Sequence, residues 1–127
     1  PVGTGTVMKL MNNMVLFENV SALAEAMAIA TRAGVDRSQV FDLLGQGSAD
    51  SFALRRHGAF MTSGDYPDDR FPTSYSAKDL DYALALASDL GVDAAGARLG
   101  RERFAEVMER GLGHLYSPVV YELFEDK

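Results

Sequence analysis

The stretch TVMKLMNNMVLFENVSALAEAMAIAT, Thr6 to Thr31, decides the fold. It contains no glycine or proline and is rich in Met, Leu and Ala, residues that lose little freedom on entering a helix. It predicts one long α-helix that stops before Gly34 and spans about 39 Å at 1.5 Å per residue. A helix of that length crosses a whole small domain, so it is expected at the centre.

Outward from it, apolar residues keep to helical spacing, and no two neighbouring segments alternate with period 2 across a tight turn. The reading is an all-α domain built around one long central helix. Asp36 with Gln39 starts a short helix through Val40, Phe41, Leu43 and Leu44, which Gly45 and Gly47 end. Asp50 or Ser48 caps a third helix holding Phe52, Leu54, Phe60 and Met61. Thr62 to Thr73 carries Gly64, Pro67, Pro72 and three aspartates and is the longest loop, the kind of segment in which function concentrates. Ser76 with Asp79 opens a fourth helix with a stripe of Leu80, Ala83, Leu84, Ala87 and Leu90, stopped by Gly91. Asp93 caps a fifth helix reaching Gly111, and Ser117-Pro118 starts a short sixth through Val119, Val120, Leu123 and Phe124.

Composition bounds the function. With 127 residues, 47% hydrophobic and 24% charged, the chain suffices for one buried core, and no apolar run of about 20 residues marks a membrane span. The absence of cysteine excludes disulfides, thiolate metal sites and a cysteine nucleophile, and fits a cytoplasmic location. Eighteen acidic against twelve basic side chains give a net charge of -6, which argues against nucleic acid as partner. The basic groups Arg55-Arg56-His57 and Arg98-Arg101-Arg103 are too sparse to change that. The chain starts at Pro1 without a signal-peptide pattern, and is expected to be a piece of something longer.

The first helix holds the sharpest chemical signal. At 100° per residue Lys9, Asn12, Asn13, Leu16, Val20, Leu23, Ala24 and Met27 share one direction, with Glu18 and Glu25 nearly opposite. A lysine and two amides thus head the apolar stripe. If that stripe is buried, they need partners, water or a ligand, because an unpaired buried ammonium or amide is costly. If the stripe leaves the core near Lys9, they are simply solvated at a helix end; periodicity leaves both open. Gly3-Thr4-Gly5 permits close backbone approach or a flexible helix entry, and is not read as a dinucleotide fingerprint, which needs a third glycine and a preceding strand. Lys78, in the expected first turn of the fourth helix, opposes the helix dipole and is either a ligand's cation or a surface lysine paired with Asp79 or Asp81. His57 and His114 lack a second metal ligand at helical spacing and read as surface or packing residues. Asp65, Asp68 and Asp69 lack a calcium-loop register. Ser51 and Ser76 read as helix-start residues, not nucleophiles.

Taken together, Gly3-x-Gly5-x-x-x-Lys9-x-x-Asn12-Asn13, then Glu25-Ala26, Ala33-Gly34-Val35-Asp36 and Ala77-Lys78-Asp79-Leu80, resemble the C-terminal domain of the β-hydroxyacid dehydrogenases. The likeness runs from Val2 through Gly111-Leu112-Gly113. It implies that residues 1–127 are one helical substrate and dimerisation domain, following an N-terminal Rossmann domain that holds NAD or NADP and is absent from this chain. By the same resemblance Lys9 matches the catalytic lysine, and Asn13 the amide that orients substrate and lysine, with Asn12 beside it. Lys78 matches a lysine reaching the cofactor, Gly5 a backbone position beside the reacting centre, and Phe71 a substrate-pocket wall. The family often has tryptophan where this chain has Phe52, and an aspartate where it has His114-Leu115-Tyr116, which leaves substrate identity open.

The resemblance implies interconversion of a small 3-hydroxyacid and its semialdehyde or keto form, with Lys9 as general acid and base and a homodimer as the working form. Burial beside residues such as Leu16 is expected to lower the Lys9 pKa toward working pH. The alternatives are a 6-phosphogluconate dehydrogenase-like or imine reductase-like enzyme, or a non-catalytic helical dimerisation and interaction module.

Overall fold

The computed structural model describes residues 3–125. Helix α1, Thr4–Arg32, runs 29 residues, about 43 Å. A 3-10 turn over Arg37–Gln39 leads into α2, Val40–Leu44; α3 is Phe52–Ser63, α4 Thr73–Asp89, and α5 Ala95–Glu109. A 3-10 helix, Ser117–Phe124, closes the described chain. No strand is present among the described residues, and the single ladder contact pairs Pro72 with Tyr116.

Helix α1 packs against α3, α4, α5 and the C-terminal 3-10 helix, which makes it the central helix the sequence predicts. Its stripe enters the core at Phe17 and continues through Val20, Leu23, Ala24, Met27 and Ala28. Phe17 meets Phe104 of α5 edge to face at 5.9 Å, and Leu80 of α4 and Val120 of the 3-10 helix are fully buried in the same cluster. Each such side chain contributes about 1.5–3 kcal/mol by leaving water. By length and composition α1 is also apolar enough to cross a membrane, contrary to the sequence expectation. Its C-terminal half is instead the spine of this protein core.

Several helix starts differ from expectation. Ser51, read from the sequence as a helix-start residue, caps α3 in place of Asp50 or Ser48, its Oγ accepting from Leu54 N at 3.0 Å, while Asp50 pairs with Arg55. Helix α4 begins at Thr73, so Ser76 is a buried interior residue and not a start. Its first amides are satisfied from far along the chain: Thr73 N donates to Leu115 O (2.8 Å) and Ser74 N to Gly113 O (3.0 Å). Asp93 does not cap α5, which starts at Ala95; its carboxylate takes Arg98 instead. Tyr116, not Ser117, precedes the last helix, which is a 3-10 and not an α-helix, and Ser117 through Tyr121 are buried in it. Asp36 does start its segment, accepting from Ser38 N at 2.9 Å, a turn bond that holds its carboxyl below the usual range.

Candidate active site

The first three turns of α1 carry no buried side chain; Lys9 and Asn12 are exposed and Asn13 half-buried. The alternative of a stripe leaving the core near Lys9 therefore describes this chain, and the burial expected around Lys9 is not supplied by the described residues. Lys9 nevertheless faces an organised neighbour. Asn13, one turn or about 6 Å farther along the helix, donates from Nδ2 to Asp79 Oδ2 at 3.0 Å, and Asn12 Nδ2 reaches Asn13 Oδ1 at 3.4 Å. Those bonds hold the polar end of α1 against α4 at the residue next to Lys78.

Because α4 starts at Thr73, Lys78 lies in its second turn and not the first, beyond the reach of an unfavourable dipole. The two aspartates that might have paired with it are engaged elsewhere. Asp79 accepts from Asn13, and Asp81 takes Arg101 through two hydrogen bonds of 2.7 and 3.2 Å. Neither Lys9 nor Lys78 forms an ion pair among the described residues. Gly3 and Gly5 have open space where a side chain would begin, and α1 has no side-chain cap and no acid in its first turn. The bare start of α1 and the two cations without ion pairs thus lie on the two helices that the Asn13–Asp79 bond joins, and free amides and cations suit anionic groups.

Beside Asn13 opens a cleft of about 350 Å³. Phe71 forms one wall, stacked on Phe17 with ring planes 3° apart and centroids 6.5 Å apart. The loop carrying Phe71 is stitched to the segment before the last helix: Tyr116 N donates to Pro67 O at 3.0 Å, adding to the two α4 amide bonds above. Asn13 and Phe71 are thus brought together by the structure, while Lys9, Asn12, Gly5 and Lys78 stand outside the cleft lining. A larger hollow of about 560 Å³ between α2 and α3 touches none of these residues and is set aside.

The sequence reading missed the other side of the cleft. Arg56, His57, Arg70 and Tyr116 line it, from α3 and two loops that no local spacing connects. His57 is buried, with Nε2 3.1 Å from the Tyr116 hydroxyl and Nδ1 without a partner. Burial first, and the adjacent Arg56 charge second, push its pKa down to about 4, so the ring is neutral at pH 7. Asp79 was quoted within a motif, but its bond to Asn13 had no sequence signal. No group of three or more acidic or histidine side chains able to hold a metal occurs among the described residues.

Comparison with known proteins adds to this geometry. Residues 3–121 match the family described as NAD-binding of NADP-dependent 3-hydroxyisobutyrate dehydrogenase. Glyoxylate/succinic semialdehyde reductase 1 of Arabidopsis thaliana is 31% identical, over 95% of this chain and 42% of its own length. The 2-hydroxy-3-oxopropionate reductase of Escherichia coli is 28% identical over 97% of this chain and 42% of its own. The chain therefore spans less than half the length of these relatives. The crystal structure of 3-hydroxyisobutyrate dehydrogenase from Salmonella typhimurium superposes with a TM-score of 0.90 at 24% identity, covering 95% of this chain and 42% of that one, a likeness of fold.

Proposed function

The chain belongs to the NAD-binding family of NADP-dependent 3-hydroxyisobutyrate dehydrogenase, a family of NAD(P)-dependent hydroxyacid dehydrogenases, and from this we propose that it is the C-terminal, substrate-holding half of such an enzyme. The observation that carries the reading is the Asn13–Asp79 hydrogen bond, which sets Lys9 and Asn13 against the α4 turn bearing Lys78. In the proposed reaction a small 3-hydroxyacid is interconverted with its semialdehyde or keto form. Lys9 Nζ gives a proton to the carbonyl oxygen as it becomes an alcohol, and takes it back in oxidation. Asn13, its amide nitrogen committed to Asp79 and its carbonyl oxygen accepting from Asn12, keeps a second lone pair on that oxygen for a donor on the substrate or on Lys9. Phe71 bounds the pocket and Asn12 supports Asn13.

A nicotinamide cofactor, NAD or NADP, supplies the hydride when bound. The residues present fit such a group: Lys78 is exposed and unpaired, and the glycines at the bare start of α1 leave room for close approach. Most of the cofactor's holding belongs, in this proposal, to an N-terminal Rossmann domain, which would also cover Lys9. The same reading carries a homodimer as the working form and the cytoplasm as its place.

The test is Lys9→Ala in the complete natural protein. Turnover of 3-hydroxyacids with NAD or NADP is expected to fall by about 10²–10⁴-fold, the usual contribution of a general acid-base group, with thermal stability unchanged. A variant as active as wild type overturns the assignment. The same result would be expected if the domain only held partners together.

A further inference from the structure

Two buried polar side chains line the Asn13 cleft, and the reaction assigned above uses neither. His57 comes from α3 and is 3% exposed; Tyr116 comes from the segment before the last helix and is 7% exposed. They meet at His57 Nε2 and the Tyr116 hydroxyl, 3.1 Å apart, with ring centroids at 5.0 Å. The other ring nitrogen, Nδ1, is shut from solvent and has no hydrogen-bond partner among the described residues.

Those contacts decide which way the bond runs. Burial keeps the ring neutral at pH 7, so one nitrogen carries a hydrogen and the other a lone pair. A hydrogen on Nδ1 would be a buried donor without an acceptor, and an orphaned N–H is the costlier of the two orphans. The hydrogen therefore sits on Nε2 and is donated to the Tyr116 oxygen. The tyrosine's own hydrogen is then not spent on His57, and the hydroxyl has no other hydrogen-bond partner among the described residues.

That hydroxyl is also fixed in place. Tyr116 N donates to Pro67 O at 3.0 Å, Phe60 meets the tyrosine ring edge to face at 5.2 Å, and the Arg70 guanidinium lies over it at 5.8 Å. Asn13 and Phe71 share the cleft lining, no acidic side chain does, and its two charged side chains, Arg56 and Arg70, are positive. A fixed O–H donor under positive potential matches an anionic oxygen. The anionic group common to all 3-hydroxyacids is their carboxylate.

We propose that the Tyr116 hydroxyl donates a hydrogen bond to the substrate carboxylate in the Asn13 cleft, and that His57 is the positioning residue that leaves the hydroxyl hydrogen free to do so. The proposal rests on the reaction assigned above and deepens it by naming a group that holds the acid. A donor already fixed by its neighbours needs little ordering when the acid arrives.

Two measurements on the complete natural protein test it. NMR of the labelled histidine ring nitrogens at pH 7, assigned by loss of the signal in His57→Gln, is expected to show the hydrogen on Nε2; a hydrogen on Nδ1 overturns the proposal. In steady-state kinetics over a panel of 3-hydroxyacids, Tyr116→Phe should raise KM about ten- to a hundredfold, the range for one hydrogen bond to a charged group, with kcat changed far less. His57→Leu should raise KM in the same way, and should add little when combined with Tyr116→Phe. His57→Gln, whose amide nitrogen reaches the place of Nε2, should keep KM within about threefold of wild type. A wild-type KM in Tyr116→Phe overturns the proposal, and a wild-type KM in His57→Leu overturns the role given to His57. If the wild type oxidises no 3-hydroxyacid with NAD or NADP, the assigned reaction fails. Calorimetric titration with 3-hydroxypropanoate then tests the cleft alone: binding weakened in Tyr116→Phe supports the site, and no binding by the wild type overturns it.

Discussion

At the scale of single residues, His57 shows how enclosure sets chemistry. Its ring is shut between α3 and Tyr116 with one nitrogen unpartnered, and its pKa of about 4 lies below the 6.5 of an open histidine. Between those values the unfolded chain binds the proton that the folded chain refuses, so folding stability declines as pH drops from about 6.5 toward 4. The loss attributable to this residue is about 2 kcal/mol by pH 5. Denaturant midpoints at pH 7 and pH 5 should differ accordingly, and His57→Gln should flatten the difference; a slope unchanged in that variant excludes His57 as its source. Tyr66 responds in the opposite sense to the same enclosure. Burial and the nearby Glu122 carboxylate raise its pKa, so the hydroxyl keeps its proton and donates to Glu122 Oε2 at 3.3 Å.

At the scale of elements, two glycines separate contact with a buried aromatic ring from contact with the tip of a flexible side chain. A methyl at Gly58 of α3 would lie 2.7 Å from a ring carbon of Phe41, a buried aromatic side chain. Gly58→Ala should therefore destabilise by about 1–3 kcal/mol despite the better helix propensity of alanine. At Gly96, in the first turn of α5, the obstacle is Glu18 Oε1, the far end of a flexible and partly exposed side chain. Gly96→Ala should be neutral or stabilising by up to about 1 kcal/mol. Thermal melts of the two variants check the contrast, and an equal loss in both would show that helix packing, not the identity of the neighbour, decides.

What the sequence made legible follows the same division. Helix α1 was readable because an unbroken run of helix formers needs no tertiary help, and the 3-10 turn leading into α2 because Asp36 makes its bond locally. The start of α4 was not, because its first amides are answered by Gly113 and Leu115, some forty residues away. The site divides likewise. Lys9, Asn12 and Asn13 are spaced on one helix and could be read. Arg56, Arg70 and Tyr116 meet only because the loop before α4 and the segment before the last helix are laced together. Phe71 was reached by resemblance, and its stacking on Phe17 is visible only in three dimensions.

At the scale of the whole molecule, the domain is unevenly built. From Phe17 onward α1 is enclosed by four other elements, whereas from Thr4 to Leu16 it has none of its side chains buried, and Met8 and Val15 are more than half exposed. Its beginning, Gly3-Thr4-Gly5-Thr6, is also poor in helix formers. Asn13, Met14 and Leu16 tie the end of this overhang to α4 and the core, so it is the turns before them that rely mainly on their own ladder of hydrogen bonds. The backbone amides of α1 should therefore trade hydrogen for deuterium far faster between Val7 and Asn13 than between Leu23 and Ala28, where opening requires the core to open too. A uniform exchange rate along the helix would contradict that picture. Anything that settles on the overhang, whether another domain or a second copy, would slow the fast amides selectively, so the exchange clock of one half-helix becomes a readout of assembly that requires no substrate.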